Sequence, residues 1–330
     1  MAALTAGTTL MAGCSFGVAE EIVGDDPVPV SAAAGPADSP VRQDSPAGDI
    51  VEAGAPVTAL LADPETATLV AAVADPPRLL LQDLDDLEAT PHEIDLPGTA
   101  ARLESAQAGT VQALIPDAGA LVEVDLASGD TEEIALAEAA VSTTEGAEEA
   151  TVIAHPDGSV GIIEADGEHR EVPGFDGTTT VVTAGGIVYA LDRVQSSLVE
   201  VDLDETRRGL ALRAGEGATN AVVDRFDRII VTETRSGELL VFSADPFLLR
   251  QRHPVPGGPY ALAYDEQRDL AWVTLTETNE LVGFDIAAGD PVEKHRFPSV
   301  QQPNSVAIDQ DTGTVVVGSA TGEGIQVVHP

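Results

Sequence analysis

The sequence predicts an all-β chain: a seven-bladed β-propeller of four-stranded blades, with the last blade closed by an N-terminal strand. Three observations predict it. One short apolar strand pattern recurs seven times at a spacing of about 40 residues, the period of propeller blades. Each copy sits among two further apolar runs and a more polar one, separated by turn residues. The seventh unit stops without a fourth strand, while a strand-like stretch stands alone before the first unit.

The elements follow in chain order. Residues 1–14 end in Leu10-Met11-Ala12-Gly13-Cys14, small residues after an apolar run and before the chain's only cysteine. This resembles the lipobox of bacterial lipoproteins, where the peptidase cuts before a cysteine that carries diacylglycerol. Two departures stand: Met11 holds the usual leucine position, and no Lys or Arg precedes the apolar run. The reading implies lipidation at Cys14 and an extracytoplasmic protein held to the cell membrane. A single cysteine also excludes an intramolecular disulfide. Residues 15–47 are rich in Pro, Ala and Asp, too polar to offset the entropy of ordering, and are expected to be a disordered tether. Its r.m.s. reach would be about 30 Å.

The folded domain is expected over 48–330. Strand character at 49–53 precedes the first unit and matches the place of 252–255 before the sixth, so it should complete the last blade and remove two open sheet edges. Runs of small apolar residues at 59–63, 221–224, 261–265 and 306–309 suit innermost strands crowded around an axis. Second strands follow, as at 228–231, 270–273 and 314–317. The recurring strand comes third, clearest in Leu121-Val122-Glu123-Val124-Asp125 and Leu198-Val199-Glu200-Val201-Asp202. Asp and Gly in the turns bond local backbone or supply positive φ. The third unit, about 141–180, fits the pattern least well. Almost no helix is expected in the domain.

The run from Gly258 through Pro259 to Asp265 and that from Gln302 through Pro303 to Asp309, with Pro56 to Asp63 as a third copy, resemble YncE, YVTN and NHL-type seven-bladed propellers. With the lipobox, the whole resembles an actinobacterial YncE-like surface lipoprotein. The Trp-Asp and Gly-His signatures of WD40 and kelch repeats are missing, and Trp272 is the only tryptophan. The resemblance implies a fold. Members of that superfamily bind proteins, sugars or wall material, and some hydrolyse lactones, so function must be argued from the site.

Composition narrows the partners. Fifty-six acidic residues face sixteen basic ones, a formal charge of −40, and Lys294 is the only lysine. Such a surface repels phosphate backbones, so nucleic acid is not an expected partner. An acidic, lysine-poor surface also suits high salt. Aromatic residues are only 3%, which leaves Val, Leu, Ile and Ala to fill the core.

In a four-stranded propeller the loops entering each inner strand line one mouth of the axial channel. Thr58, Thr219, Tyr260 and Asn304 hold that position and are the candidate ligand-binding ring. Local turn bonding is the competing account of the four. The inner-strand ends Asp63, Asp224, Asp265 and Asp309 are expected to start hairpin turns at the opposite end. His92, His253 and His295 fall on outer strands, while His155, His169 and His329 lie in turns or near the chain end. No spacing among them suggests a zinc site, and no Gly-x-Ser-x-Gly elbow suggests a hydrolase. No catalytic residue, metal or cofactor is therefore expected. The leading expectation is a non-catalytic binding or scaffold lipoprotein at the cell envelope that recognises a protein or small ligand. The alternative is a metal-dependent lactonase-like hydrolase.

Overall fold

The computed structural model describes residues 32–330, without Ala108, Ala137 and Ala288. The expected signal peptide and its Cys14 lie outside the described residues, as does the 15–31 part of the expected tether.

Among the described residues, twenty-eight strands form seven antiparallel sheets of four. We call these blades 1 to 7: residues 57–95, 102–135, 142–172, 178–213, 218–254, 259–298, and 303–328 with 49–51. Within each blade the strands are consecutive, so hairpin turns alone set the topology. The recurring sequence strand is the third of its blade in every case, for example Arg78–Asp83, Ser197–Asp202 and Glu280–Asp285. In blade 7 the outer position is taken by Asp49–Val51, which pairs antiparallel with Ile325–Val328, Asp49 opposite Val327 and Val51 opposite Ile325.

Blades stack face to face, so their middle strands are covered on both sides. They therefore read as continuous apolar runs: every residue of Leu270–Leu275 is buried. The outer strand Leu248–Pro254 is instead largely exposed. Seven apolar clusters fill the seven seams between neighbouring blades. The seam between blades 2 and 3 is the poorest, with only Leu114, Leu121, Ala140 and Ile153 buried in it. Blade 3 also has the shortest strands, each four residues long, which is why its repeat is faint in the sequence. Trp272 is fully buried and stacks on His295 at 5.4 Å between ring centroids.

The four inner-strand aspartates start turns as expected. Asp224 accepts the Phe226 and Arg228 amides, Asp265 those of Gln267 and Arg268, and Asp309 that of Asp311. Asp63 accepts the Thr66 amide at 3.0 Å. Helix is confined, among the described residues, to two single 3₁₀ turns, Pro116–Ala118 and Ala147–Glu149.

Residues 32–47 depart from the free tether expected of them. They have no regular structure, yet they run along blades 4 to 7 and are bonded to them at intervals. Arg193 and Arg235 donate to the Ala34 and Ala32 carbonyls, Asn279 to the Pro40 carbonyl, and Gln326 to the Ala47 carbonyl. Arg42 pairs with Glu323 at 2.7 Å. Composition alone misses this, because the enthalpy comes from blade residues far along the chain.

Candidate functional site: the axial channel and its mouth

The loops entering the inner strands and those joining second to third strands share one end of the ring. The candidate ring lies there, and the structure divides it. The Thr58 hydroxyl donates to the Ala100 carbonyl of the next blade's entry loop at 2.8 Å. Thr219 is 1% exposed and shares hydrogen bonds with Thr232 and Thr234 at 3.1 and 2.8 Å. Both hydroxyls are thus spent on the scaffold. Tyr260 and Asn304 are half-buried. The Tyr260 carbonyl accepts from Asn220 and Thr232 of blade 5, while Asn304 Oδ1 accepts from Gln302 at 3.0 Å.

The channel holds a cavity of about 680 Å³, lined mainly by inner strands of blades 1 to 5 and lying toward their Asp63 and Asp224 ends, away from the candidate ring. Its two sides differ. Leu61, Val182 and Val222 make one side apolar. On the other, Arg102 Nε lies 2.9 Å from Glu104 Oε1, and Glu104 crosses to blade 3 to accept from the amide and hydroxyl of Thr143. Thr144 and Thr183 share a hydrogen bond at 2.9 Å between blades 3 and 4. Polar contacts therefore replace apolar ones on the axial side of the poorest seam. Inward-facing polar groups in a half-apolar cavity are the usual make-up of a small-ligand site.

Sequence reasoning missed this group because it followed the small-residue inner-strand pattern of blades 1, 5, 6 and 7. The signal was present: Arg102 and Glu104 put two charges into a strand position that is apolar elsewhere. A charge there must be paired or solvated, and Arg102 and Glu104, two residues apart on one strand, pair with each other.

The histidine expectation also needs correction. His155 and His169, far apart in spacing, meet on Glu138 at the rim of blade 3. His155 Nε2 is 3.1 Å from Glu138 Oε2, and His169 Nδ1 is 3.5 Å from Oε1. His155 Nδ1 lies 2.7 Å from the Ala139 carbonyl, which can only accept, so this nitrogen carries the proton. Side-chain bonding of neighbouring Ser159, first through its hydroxyl, holds Asp157 below the usual carboxylate range. Glu138 stands between the rings rather than all three converging. Among the described residues no group of three or more His, Cys, Asp or Glu is arranged to hold a metal ion.

No protein-family model and no curated protein matches the chain. Solved structures do. Hydrazine synthase of Kuenenia stuttgartiensis is 14% identical, with a TM-score of 0.69 over 87% of this chain and 99% of that one. Virginiamycin B lyase from Staphylococcus aureus, solved with quinupristin, is 14% identical, with a TM-score of 0.67 over 84% and 97%. U3-55K is 9% identical, with a TM-score of 0.71 over 87% and 100%. At such identities, what these neighbours establish for this chain is the seven-bladed propeller fold.

Proposed function

We propose that this protein is a non-catalytic binding protein of the cell envelope, anchored through a lipid on Cys14, that takes a small ligand into its axial channel. The observation that carries the binding part is the two-sided cavity: the Arg102–Glu104 pair, braced by Thr143, presents charged groups opposite an apolar wall. A ligand with polar groups along one edge and an apolar face suits it. The anchor rests on the residues around Cys14. The propeller supports the binding reading because the fold serves as a recognition scaffold in many settings.

The experiment is native mass spectrometry of full-length protein purified from membranes, with Val182→Trp as the cavity-filling variant. A small bound species in the wild type, absent from the variant, is expected. In parallel, an alkyne-palmitate label should enter the wild type and not Cys14→Ser. Identical spectra for the two channel forms would overturn the cavity as the site. Equal labelling of wild type and Cys14→Ser would overturn the anchor.

A further inference from the structure

We propose that the arc of this face over blades 5 to 7 is a groove that reads an extended peptide through its main chain, with residues 32–47 as its exchangeable resident occupant. This adds a class of partner to the reading above and does not depend on the axial cavity.

The groove floor is made by two residues without side chains. A Cβ built on Gly217 would lie 3.0 Å from the Ala34 Cβ, and one on Gly258 would lie 3.2 Å from the Ala37 Cβ. Each alanine therefore rests directly on backbone at the entry to an inner strand, of blade 5 and then of blade 6. Ala34 is buried on this floor and Ala37 half-buried, so a long charged side chain at both would push the strap off it. Ala34, Ala37 and Pro40 are three apart. That is the repeat of polyproline II, in which every third residue faces the same way and no internal hydrogen bond forms, leaving the peptide groups free. Pro36 and Pro40 favour such a conformation.

The groove walls take up those free groups. The Ala37 amide donates to Thr276 Oγ1 at 3.0 Å. The Gln302 carboxamide bonds twice, donating to the Ala37 carbonyl at 2.9 Å and accepting from the Ser39 amide at 3.0 Å, as the edge of a strand would. Asn279 donates to the Pro40 carbonyl at 2.9 Å. Only Ser39 and Arg42 are held by their side chains, Ser39 through the Thr276 carbonyl and the Gln302 amide, Arg42 through Glu323. Because recognition is almost wholly of backbone and small residues, another chain with alanine, glycine or serine three residues apart, interrupted by proline, meets the same requirements. The partner is thus an extended, proline-punctuated, small-residue segment of another protein. The strap competes with it at an effective concentration on the order of millimolar.

The test uses the full chain and a fluorescein-labelled synthetic peptide of residues 32–43. In Ala34→Glu/Ala37→Glu the strap should leave the groove, seen as lost hydrogen-exchange protection at residues 37 and 39. The labelled peptide should then bind that variant saturably, and roughly tenfold or more weaker to the wild type, whose groove is filled. Adding Gln302→Ala to the strap variant should weaken peptide binding by roughly tenfold. Unchanged melting of the variants shows that the fold is kept. Persistent protection in the double variant would sink the claim that long charged side chains push the strap off the floor. An exposed groove that ignores the peptide would sink the proposal itself. Val182→Trp should leave peptide binding unchanged, so failure of the cavity reading and failure of this one are separable.

Discussion

Asp224 shows how a single side chain holds the ring at the end opposite the mouth. Its carboxylate is fully buried, accepts two turn amides at 2.9 Å, and takes Arg228 Nε at 2.6 Å. Arg228 in turn donates to the Ile286 carbonyl of blade 6 at 2.8 Å, so one aspartate orders its own hairpin and the next seam. Asp224→Ala should destabilise the protein by about 3–5 kcal/mol, because it strands the buried guanidinium as well as the turn amides. Asp224→Asn, which keeps an acceptor for the amides, should cost clearly less. Urea unfolding of the two variants checks the order, and equal losses would refute the part given to the charge. Tyr189 makes a similar link without charge: its hydroxyl donates to the Ala244 carbonyl of blade 5, and burial, helped by Glu200 and Asp245, pushes the phenol up to about 12.

At the scale of elements, one contact of the strap depends on pH. Burial disfavours a charge on Glu323, but the Arg42 side chain and the Gln301 amide outweigh it and hold the carboxyl below its ordinary value of 4.5. A carboxyl depressed by folding contributes stability above that value and loses it as pH falls through the lowered one. The strap end should therefore loosen only as pH falls below 4.5. With Cys14→Ser and Asp38→Cys carrying a fluorophore, anisotropy should drop between about pH 6 and about pH 3. Adding Arg42→Ala should lower it already at the upper pH and flatten the dependence; an unchanged curve would remove Glu323 from the account. The blades themselves were legible in the sequence because each third strand, such as 281–285, repeats the same apolar run and ends at a turn residue. The aspartate turns were legible for the same local reason. The strap was not, since its partners Thr276, Gln302 and Gln326 lie more than two hundred residues away. Nor was the meeting of His155, Glu138 and His169, which depends on how the entry loop of blade 3 folds over its neighbours. Of the four ring candidates, the position along the inner strand was legible, but the carbonyl that consumes the Thr58 hydroxyl belongs to another blade.

Over the whole molecule, charge is unevenly shared around the ring. Residues 48–180 carry 28 acidic side chains against 3 basic, and residues 181–330 carry 22 against 12. The later blades answer many of their carboxylates with arginine, as in Arg225 with Asp269, Arg252 with Glu238, and Arg296 with both Glu280 and Glu293. Blades 1 to 3 do so rarely, and they also contain the poorest seam. Self-repulsion over distances near the ~10 Å screening length at 0.1 M salt is thus concentrated where packing is weakest. Thermal unfolding should rise by several degrees from low salt to molar sodium chloride, with the amides of blade 3 gaining most in hydrogen exchange. A melting point indifferent to salt would show that the repulsion is already screened by geometry. The bound strap has a last consequence under the proposed anchor at Cys14. If 32–47 were free, the link from Cys14 to Gly48 could extend about 120 Å; with them bound, the link to Ala32 extends about 60 Å at most. Halving a leash divides the volume it sweeps by about eight, and so raises in the same proportion the local concentration at which the domain meets anything fixed to the same surface. A foreign peptide that displaced the strap would lengthen the leash as it bound, turning occupancy of the groove into a change of search radius.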